Sequence, residues 1–277
     1  MTDLKHVQVN GIRFAYFEQG RGPTVLLLHG FPDTARTWDH AMGALANAGF
    51  RAVAPYMRGY TPTEAPTDRE VTVEQLGLDA LALIDALGDD GRAFLVGHDW
   101  GAAASYAAAA MQPDKIKKLV TVAIPHPRAI RPTPARLLTA KHFIVLRFKS
   151  AAQRVRRDNF AYIDDIYRLW SPAWNLPPGE LHDIKACFSD PDSLDTALGY
   201  YRAASPIPPD FLKKAIAVDT LSIGGDSDPF VGEADYKRAA RFFSGAYQSA
   251  LIPGGHFLHR ESPERFALLL IDFFKAP

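Results

Sequence analysis

The chain has 277 residues, of which 47% are hydrophobic, and 31 basic residues balance 31 acidic ones to a formal net charge of zero. That length and apolar content can bury a large core as one domain, or as one domain carrying an insertion. The even balance of charge excludes a broad electrostatic attraction to nucleic acid or to an anionic membrane.

A single cysteine, Cys187, rules out an intramolecular disulfide and suits a reducing, cytoplasmic setting. The first residues, Met1-Thr2-Asp3-Leu4-Lys5-His6, lack the apolar core of a signal peptide. No apolar run reaches the ~20 residues that a membrane helix needs. Val7-Gln8-Val9 and residues 13–17 alternate around Asn10-Gly11, which predicts a β-hairpin with a type I′ turn. Residues 25–28, Ala52-Val53-Ala54, residues 94–96 and residues 119–123 are short apolar runs of the kind buried parallel strands show. Helical patterns lie between them. Thr72 with Gln75 reads as a capping box, Leu76, Leu81, Ile84 and Leu87 line the helix that follows, and Gly88 stops it.

From Pro125-His126-Pro127 to about Ile216 this rhythm breaks. The stretch is punctuated by proline, rich in aromatics and helical in patches, with no convincing strand. Alternation resumes at Ala217-Val218, and a last helix starts at Ser262-Pro263 with Phe266, Leu269, Leu270 and Phe273 on its buried face. Strands alternating with helices predict an α/β fold with a doubly wound, mostly parallel sheet. Residues 1–125 and 217–277 then form its core, and residues 126–216 a helical cap inserted over it. Arg154-Val155-Arg156-Arg157, the densest basic cluster, reads as a solvated helix face.

Chemistry concentrates in Gly97-His98-Asp99-Trp100-Gly101, between the apolar run at 93–96 and an alanine-rich helical segment. A plain strand-end turn whose aspartate caps the next helix would give the same five residues. The pattern also fits a nucleophile elbow, small-x-nucleophile-x-small, with aspartate in the place of serine. A serine attacking a saturated carbon would form an ether, which water does not readily cleave. A carboxylate forms an ester, which water can open, so Asp99 points to breaking a C–O or C–halogen bond. Three further motifs support the elbow. His29-Gly30-Phe31-Pro32 follows a strand, so that the N–H groups of Phe31 and Trp100 can form an oxyanion hole. A late apolar run ends in Gly225-Asp226-Ser227-Asp228, and another leads to Gly254-Gly255-His256. The chain order is then Asp99, Asp228, His256: nucleophile, acid, histidine. Asp228 is preferred for its Gly-x-x-Asp spacing, with Asp226 as second choice. His259 reads as a helix-start histidine, and His29 and His98 as supports of their loops. No Cys–His motif recommends Cys187 as a nucleophile.

In these motifs and their order the chain resembles, over essentially its whole length, the epoxide hydrolase and haloalkane dehalogenase branch of the α/β-hydrolase superfamily. It is most similar to the epoxide hydrolases. The resemblance implies an α/β-hydrolase fold with a helical cap and a covalent alkyl ester on Asp99. His256, held by Asp228, then activates the water that releases a vicinal diol. It also implies two cap tyrosines that hydrogen-bond the epoxide oxygen. Tyr200-Tyr201-Arg202-Ala203 resembles the second of these motifs, with Tyr201 as the carrier and Tyr200 as the packing alternative. Residues 142–149 resemble the first cap helix, but a gapless match puts Ile144 where tyrosine is expected. His142, Tyr162 or Tyr167 could supply that donor, with Ile144 and Trp170 as further pocket candidates.

Dehalogenation is the alternative reaction. The indole of Trp100, paired with Trp170 or Trp174, could hold a departing halide, although Phe31 stands where haloalkane dehalogenases often carry asparagine. Haloacetate dehalogenases carry an arginine in the place of Trp100. A non-catalytic small-molecule binder is the third reading, which the retention of all three polar residues disfavours. The expectation is therefore a detoxifying hydrolase for small apolar epoxides or halogenated compounds, acting without cofactor or metal. It would be a monomer or homodimer with no nucleic-acid or membrane partner.

Overall fold

The chain enters its sheet through a hairpin in which β1 (Lys5–Val9) pairs antiparallel with β2 (Ile12–Gln19). Asn10 and Gly11 turn it at φ of 49° and 72°, the two positive values a type I′ turn requires. This is a computed structural model; it describes residues 3–68, 70–131, 141–205, 207 and 209–277. Beyond the hairpin come β3 (Thr24–Leu28), β4 (Arg51–Pro55), β5 (Ala93–His98), β6 (Ile116–Val122), β7 (Thr220–Gly225) and β8 (Tyr247–Ile252). The sheet order is β1-β2-β4-β3-β5-β6-β7-β8, and every pair from β4 to β8 is parallel. Residues in β3 and β7 are buried without alternation, as strands covered on both faces must be.

The core helices ahead of β6 are α1 (Asp39–Asn47), α2 (Val73–Leu87) and α3 (Trp100–Met111). Thr72 caps α2 by accepting the Gln75 N–H at 3.2 Å. The Gln75 side chain does not close the expected box; its amide donates to Asp79 at 3.0 Å instead. Gly88 ends α2 at an ordinary φ of −78°. Space, not handedness, demands glycine there, since a Cβ would lie 2.5 Å from the Ile84 carbonyl oxygen.

Between β6 and β7 lie α4 (Lys141–Arg147), α5 (Ala151–Trp170), α6 (His182–Ser189) and α7 (Pro191–Ala203). No strand occurs there among the described residues; Ile216 makes only an isolated bridge to Phe243. α5 is broken at residues 157–160, where Asp158, Asn159 and Phe160 take positive φ. After β7 come α8 (Glu233–Ala239), α9 (Leu258–Glu261) and α10 (Pro263–Lys275). Among the described residues no helix is long and apolar enough to cross a membrane.

α10 buries Phe266, Ala267, Leu270, Phe273 and Phe274, whereas Leu269 is only partly covered. Phe266 stacks on Trp38 with ring centroids 6.0 Å apart, joining α10 to the turn ahead of α1. Phe266→Ala should therefore cost ~3–5 kcal/mol, the usual range for a buried phenylalanine. A urea titration that shows an unchanged midpoint would contradict this packing.

Candidate active site

β5 ends at His98 and α3 starts at Trp100, so the turn between strand and helix consists of Asp99 alone. Its backbone, at φ 50° and ψ −116°, is strained by roughly 1–3 kcal/mol for a residue with a Cβ. The glycines around it make this approach possible. A Cβ on Gly97 would lie 2.2 Å from the Gly101 carbonyl oxygen, and one on Gly101 would lie 2.2 Å from that of Leu28. A Cβ on Gly30 would meet the Asp99 side chain itself at 2.3 Å. Asp99 Oδ1 accepts the Phe31 N–H at 2.8 Å, which brings the His-Gly loop onto the elbow. Trp100 is the first residue of α3, so its N–H is one of the helix-end donors with no partner inside the helix.

The loops after β7 and β8 bring the other two residues to the same place. His256 Nδ1 lies 3.1 Å from Asp228 Oδ2, and His256 Nε2 lies 3.5 Å from Asp99 Oδ2. Asp228 Oδ1 accepts the Phe230 N–H at 2.8 Å, which fixes the carboxylate plane. Asp226 is exposed and braces its own loop, accepting from Gly254 N–H at 3.2 Å and from the Ser227 hydroxyl at 2.8 Å. Of the two acids, then, Asp228 is the one that faces the histidine. Burial works against charge on His256, but hydrogen bonding to Asp228 and then to Asp99 lifts its pKa to about 9. Burial likewise opposes ionisation of Asp99, yet His256 outweighs it and holds the carboxyl below its ordinary value. The resting pair is an imidazolium beside a carboxylate.

Two further histidines brace these loops as neutral rings. His98 Nε2 donates to the His256 carbonyl oxygen at 3.0 Å. His29 Nε2 accepts the Met57 N–H at 2.9 Å while its Nδ1 donates to the Gly30 carbonyl at 3.0 Å. Burial pushes their pKa values down to about 3 and about 4 respectively.

Among the described residues of 126–216, fewer reach this centre than the sequence suggests. Tyr201 packs edge-on against Phe31 and Trp100, each ring centroid 5.2 Å away. Its hydroxyl is buried and makes no hydrogen bond, although the Trp100 indole is near enough to moderate its acidity. Burial, then the charge of Asp99, holds Tyr201 well above the ordinary tyrosine range. Tyr200 points the other way and donates to the Arg58 carbonyl at 2.8 Å. Trp170 sits edge-on to His256 at 4.9 Å and beside His142 at 4.7 Å. Its indole N–H has no acceptor, and its carbonyl holds the His256 N–H at 2.9 Å.

Two of the sequence expectations fail here. Ile144 is 60% exposed and takes no part in the site. It stands two residues from buried His142 on α4, about 200° around the helix, so the two cannot face the same way. Tyr167 is buried, but its hydroxyl donates to the Pro32 carbonyl at 3.0 Å and accepts from Arg260 at 3.0 Å. Stacked 3.9 Å over Phe257, it is a strut with no hydrogen left to offer. Tyr162 is half-buried against Arg154, with its hydroxyl close enough to Tyr201 to influence it.

Known proteins resemble this chain in sequence and fold. The alpha/beta hydrolase fold family matches residues 23–263. Epoxide hydrolase A of Mycobacterium tuberculosis is 31% identical over 310 residues, covering 96% of this chain and 95% of that protein. The chain belongs to the α/β-hydrolase family. An epoxide hydrolase of Caballeronia sordidicola is 36% identical over 211 residues, 73% of this hydrolase, which spans 60% of that relative's length. Among solved structures, epoxide hydrolase VrEH1 from Vigna radiata superposes with a TM-score of 0.80 at 28% identity, covering 99% and 98% of the two chains. These relatives bear out the resemblance read from the motifs.

The structure of the hydrolase adds residues that the sequence did not single out. Phe230 packs against His142 at 5.1 Å and His256 at 6.1 Å, and Phe188 stacks on Phe31 at 5.6 Å. Glu261 accepts the Gly255 N–H at 2.8 Å and the Ser171 hydroxyl at 2.6 Å, tying the His256 loop to the end of α5. The only signal for Phe230 was its place two residues beyond Asp228. Phe188 was one of the many aromatics of residues 126–216, with nothing to set it apart, and Glu261 carried no signal, because their contacts lie 90 or more residues away for at least one partner.

Proposed function

We propose that this hydrolase opens small apolar epoxides to vicinal diols through an ester on Asp99. The observation that carries the reading is a buried, ionised Asp99 close enough to the unpartnered hydroxyl of Tyr201 for its charge to act on it. Asp99 attacks one epoxide carbon as the C–O bond breaks, and Tyr201 gives its proton to the departing oxygen and later regains one from water. Its high pKa keeps that proton available until an alkoxide forms. Once Asp99 is esterified its negative charge is gone, and His256 loses one of the two partners that hold it protonated. The imidazole then releases its proton, takes one from a water molecule, and the resulting hydroxide adds to the ester carbonyl. The N–H groups of Phe31 and Trp100 hold the oxyanion until collapse frees the diol and restores the Asp99 carboxylate. Residues 126–216 act as a cap that excludes bulk water, with Trp170 and Phe230 as apolar wall and the polar ring of His142 packed beside them.

A second reading, dehalogenation, is favoured by one observation. The indole N–H groups of Trp100 and Trp170 are both buried without acceptors, and such groups can solvate a halide but cannot protonate an alkoxide. Tyr201→Phe and Trp100→Phe separate the two. On an epoxide, Tyr201→Phe should slow alkylation of Asp99 by ~10²–10⁴ while sparing ester hydrolysis. On a bromoalkane, Trp100→Phe should be the damaging change and Tyr201→Phe nearly silent. Pre-steady-state alkylation rates decide it, and full epoxide activity in Tyr201→Phe would remove tyrosine acid catalysis from this proposal.

A further inference from the structure

Beside His256, whose ring centroid lies 5.0 Å from that of His98, three polar side chains converge in the interior. Asp33, His98 and His259 are each at least nine-tenths buried, and one ligand atom from each lies within 4.8 Å of those of the other two. The imidazoles pack with ring centroids 4.4 Å apart. We propose that Asp33, His98 and His259 form a buried two-nitrogen, one-oxygen site for a late first-row divalent metal ion of the zinc or cobalt type.

Proton positions carry the argument. His98 Nε2 faces the His256 carbonyl oxygen, which can only accept, so the proton is on Nε2 and the lone pair on Nδ1. His259 Nε2 lies 2.6 Å from Thr37 Oγ1. That contact occupies His259 Nε2 in either direction, which leaves Nδ1 as the nitrogen turned to the cluster. Both Nδ1 atoms are buried and neither has a partner in the structure. A buried imidazole nitrogen without a partner carries a desolvation cost that a bound ion would relieve. Each ring is already held through its other nitrogen, and Asp33 accepts the Thr34 N–H at 2.9 Å, which is the outer support that metal ligands require. Imidazole nitrogens with one carboxylate suit zinc-like ions better than magnesium or calcium.

Arg260 Nη1 pairs with Asp33 at 3.3 Å from Oδ1 and 3.4 Å from Oδ2, so an ion would share that carboxylate with the guanidinium, whose Nη2 is held by Glu180 at 2.6 Å. A surface cleft of about 460 Å³, lined by acidic Asp39, Glu180 and Asp183 and by basic Arg36 and Arg260, also touches Thr37 and His259. Tetrahedral coordination at 2.0–2.1 Å sets donors roughly 3.4 Å apart, so the rings need only small rotations to close on an ion. Through His98 the ion would stiffen the His256 loop, leaving the reacting atoms untouched.

Cobalt(II) is the probe, added to purified protein and followed by visible absorption, metal content after gel filtration, and melting temperature. Wild type should retain one equivalent per chain, show tetrahedral d–d absorption, and melt ~5 °C or more higher at a hundredfold excess over the dissociation constant. His259→Gln should abolish all three changes, and His256→Ala should keep them, which separates this site from Asp99 and Asp228. If circular dichroism shows that His259→Gln is unfolded, Asp33→Asn must show the loss instead. The proposal is overturned if wild type retains no cobalt, meaning that a water molecule alone bridges the lone pairs. It is equally overturned if folded His259→Gln binds as well as wild type, or if His256→Ala loses the metal.

Discussion

His256→Ala should react with its substrate once and then stop. Intact-mass spectrometry should show the protein heavier by one epoxide, and peptide mapping should place the adduct on Asp99, with turnover down by ~10⁴ or more. The geometry separates the two half-reactions. Asp99 attacks carbon without any base removing a proton in that step, and its Oδ1 is already oriented by the Phe31 N–H at 2.8 Å. His256 favours the ionised form, so the variant should alkylate more slowly than wild type but still alkylate. His256 Nε2 stands 3.5 Å from Asp99 Oδ2, a separation that leaves the carboxylate free to attack carbon. Hydrolysis of the ester has no such independence, since water at neutral pH is a poor nucleophile without a base. A variant that neither alkylates nor turns over would place His256 in the first step and defeat the mechanism. An adduct on a residue other than Asp99 would move the nucleophile.

Most of this centre was legible because it is built from local signals. The Gly97-x-Asp99-x-Gly101 spacing states its own reason: each flanking glycine leaves room for a backbone carbonyl that a Cβ would strike at 2.2 Å. The strands of the parallel sheet were legible as apolar runs because both faces are covered, so no alternation obscures them. Asp228 stood out from Asp226 by spacing, and the loop geometry that follows from the spacing turns one carboxylate inward and leaves the other in solvent. The helices between β6 and β7 were harder. Which side of α4 faces the site depends on contacts with Trp170 and Phe230, 28 and 88 residues away in sequence, so Ile144 and His142 could not be told apart along the chain. Tyr167 failed for the same reason: the partners that occupy its hydroxyl, Pro32 and Arg260, lie 135 and 93 residues away. Gly88 and Gln75 show a milder version, in which the element ends where expected for a different physical cause.

Asp228→Asn should slow turnover by ~10⁴ and at the same time lower the pKa of His256 from about 9. The amide keeps the shape of the carboxylate but removes the charge 3.1 Å from Nδ1, the strongest influence holding the imidazole protonated in its buried place. Asp99 alone then remains to hold that proton, at the longer distance of 3.5 Å. The same coupling reaches stability. A histidine raised from 6.5 to about 9 contributes stability that is complete below pH ~6.5 and is lost as pH climbs through about 9. Wild type should therefore weaken between those values in urea titrations, and Asp228→Asn should flatten that decline because less of the shift is left to lose. Asp226→Asn, whose amide oxygen can still accept from Gly254, should change neither the pKa nor the profile. An NMR titration of the His256 ring reads the first effect directly. If His256 in Asp228→Asn still titrates near 9, Asp99 is its principal partner, and the order of the relay from Asp228 through His256 to water has to be redrawn.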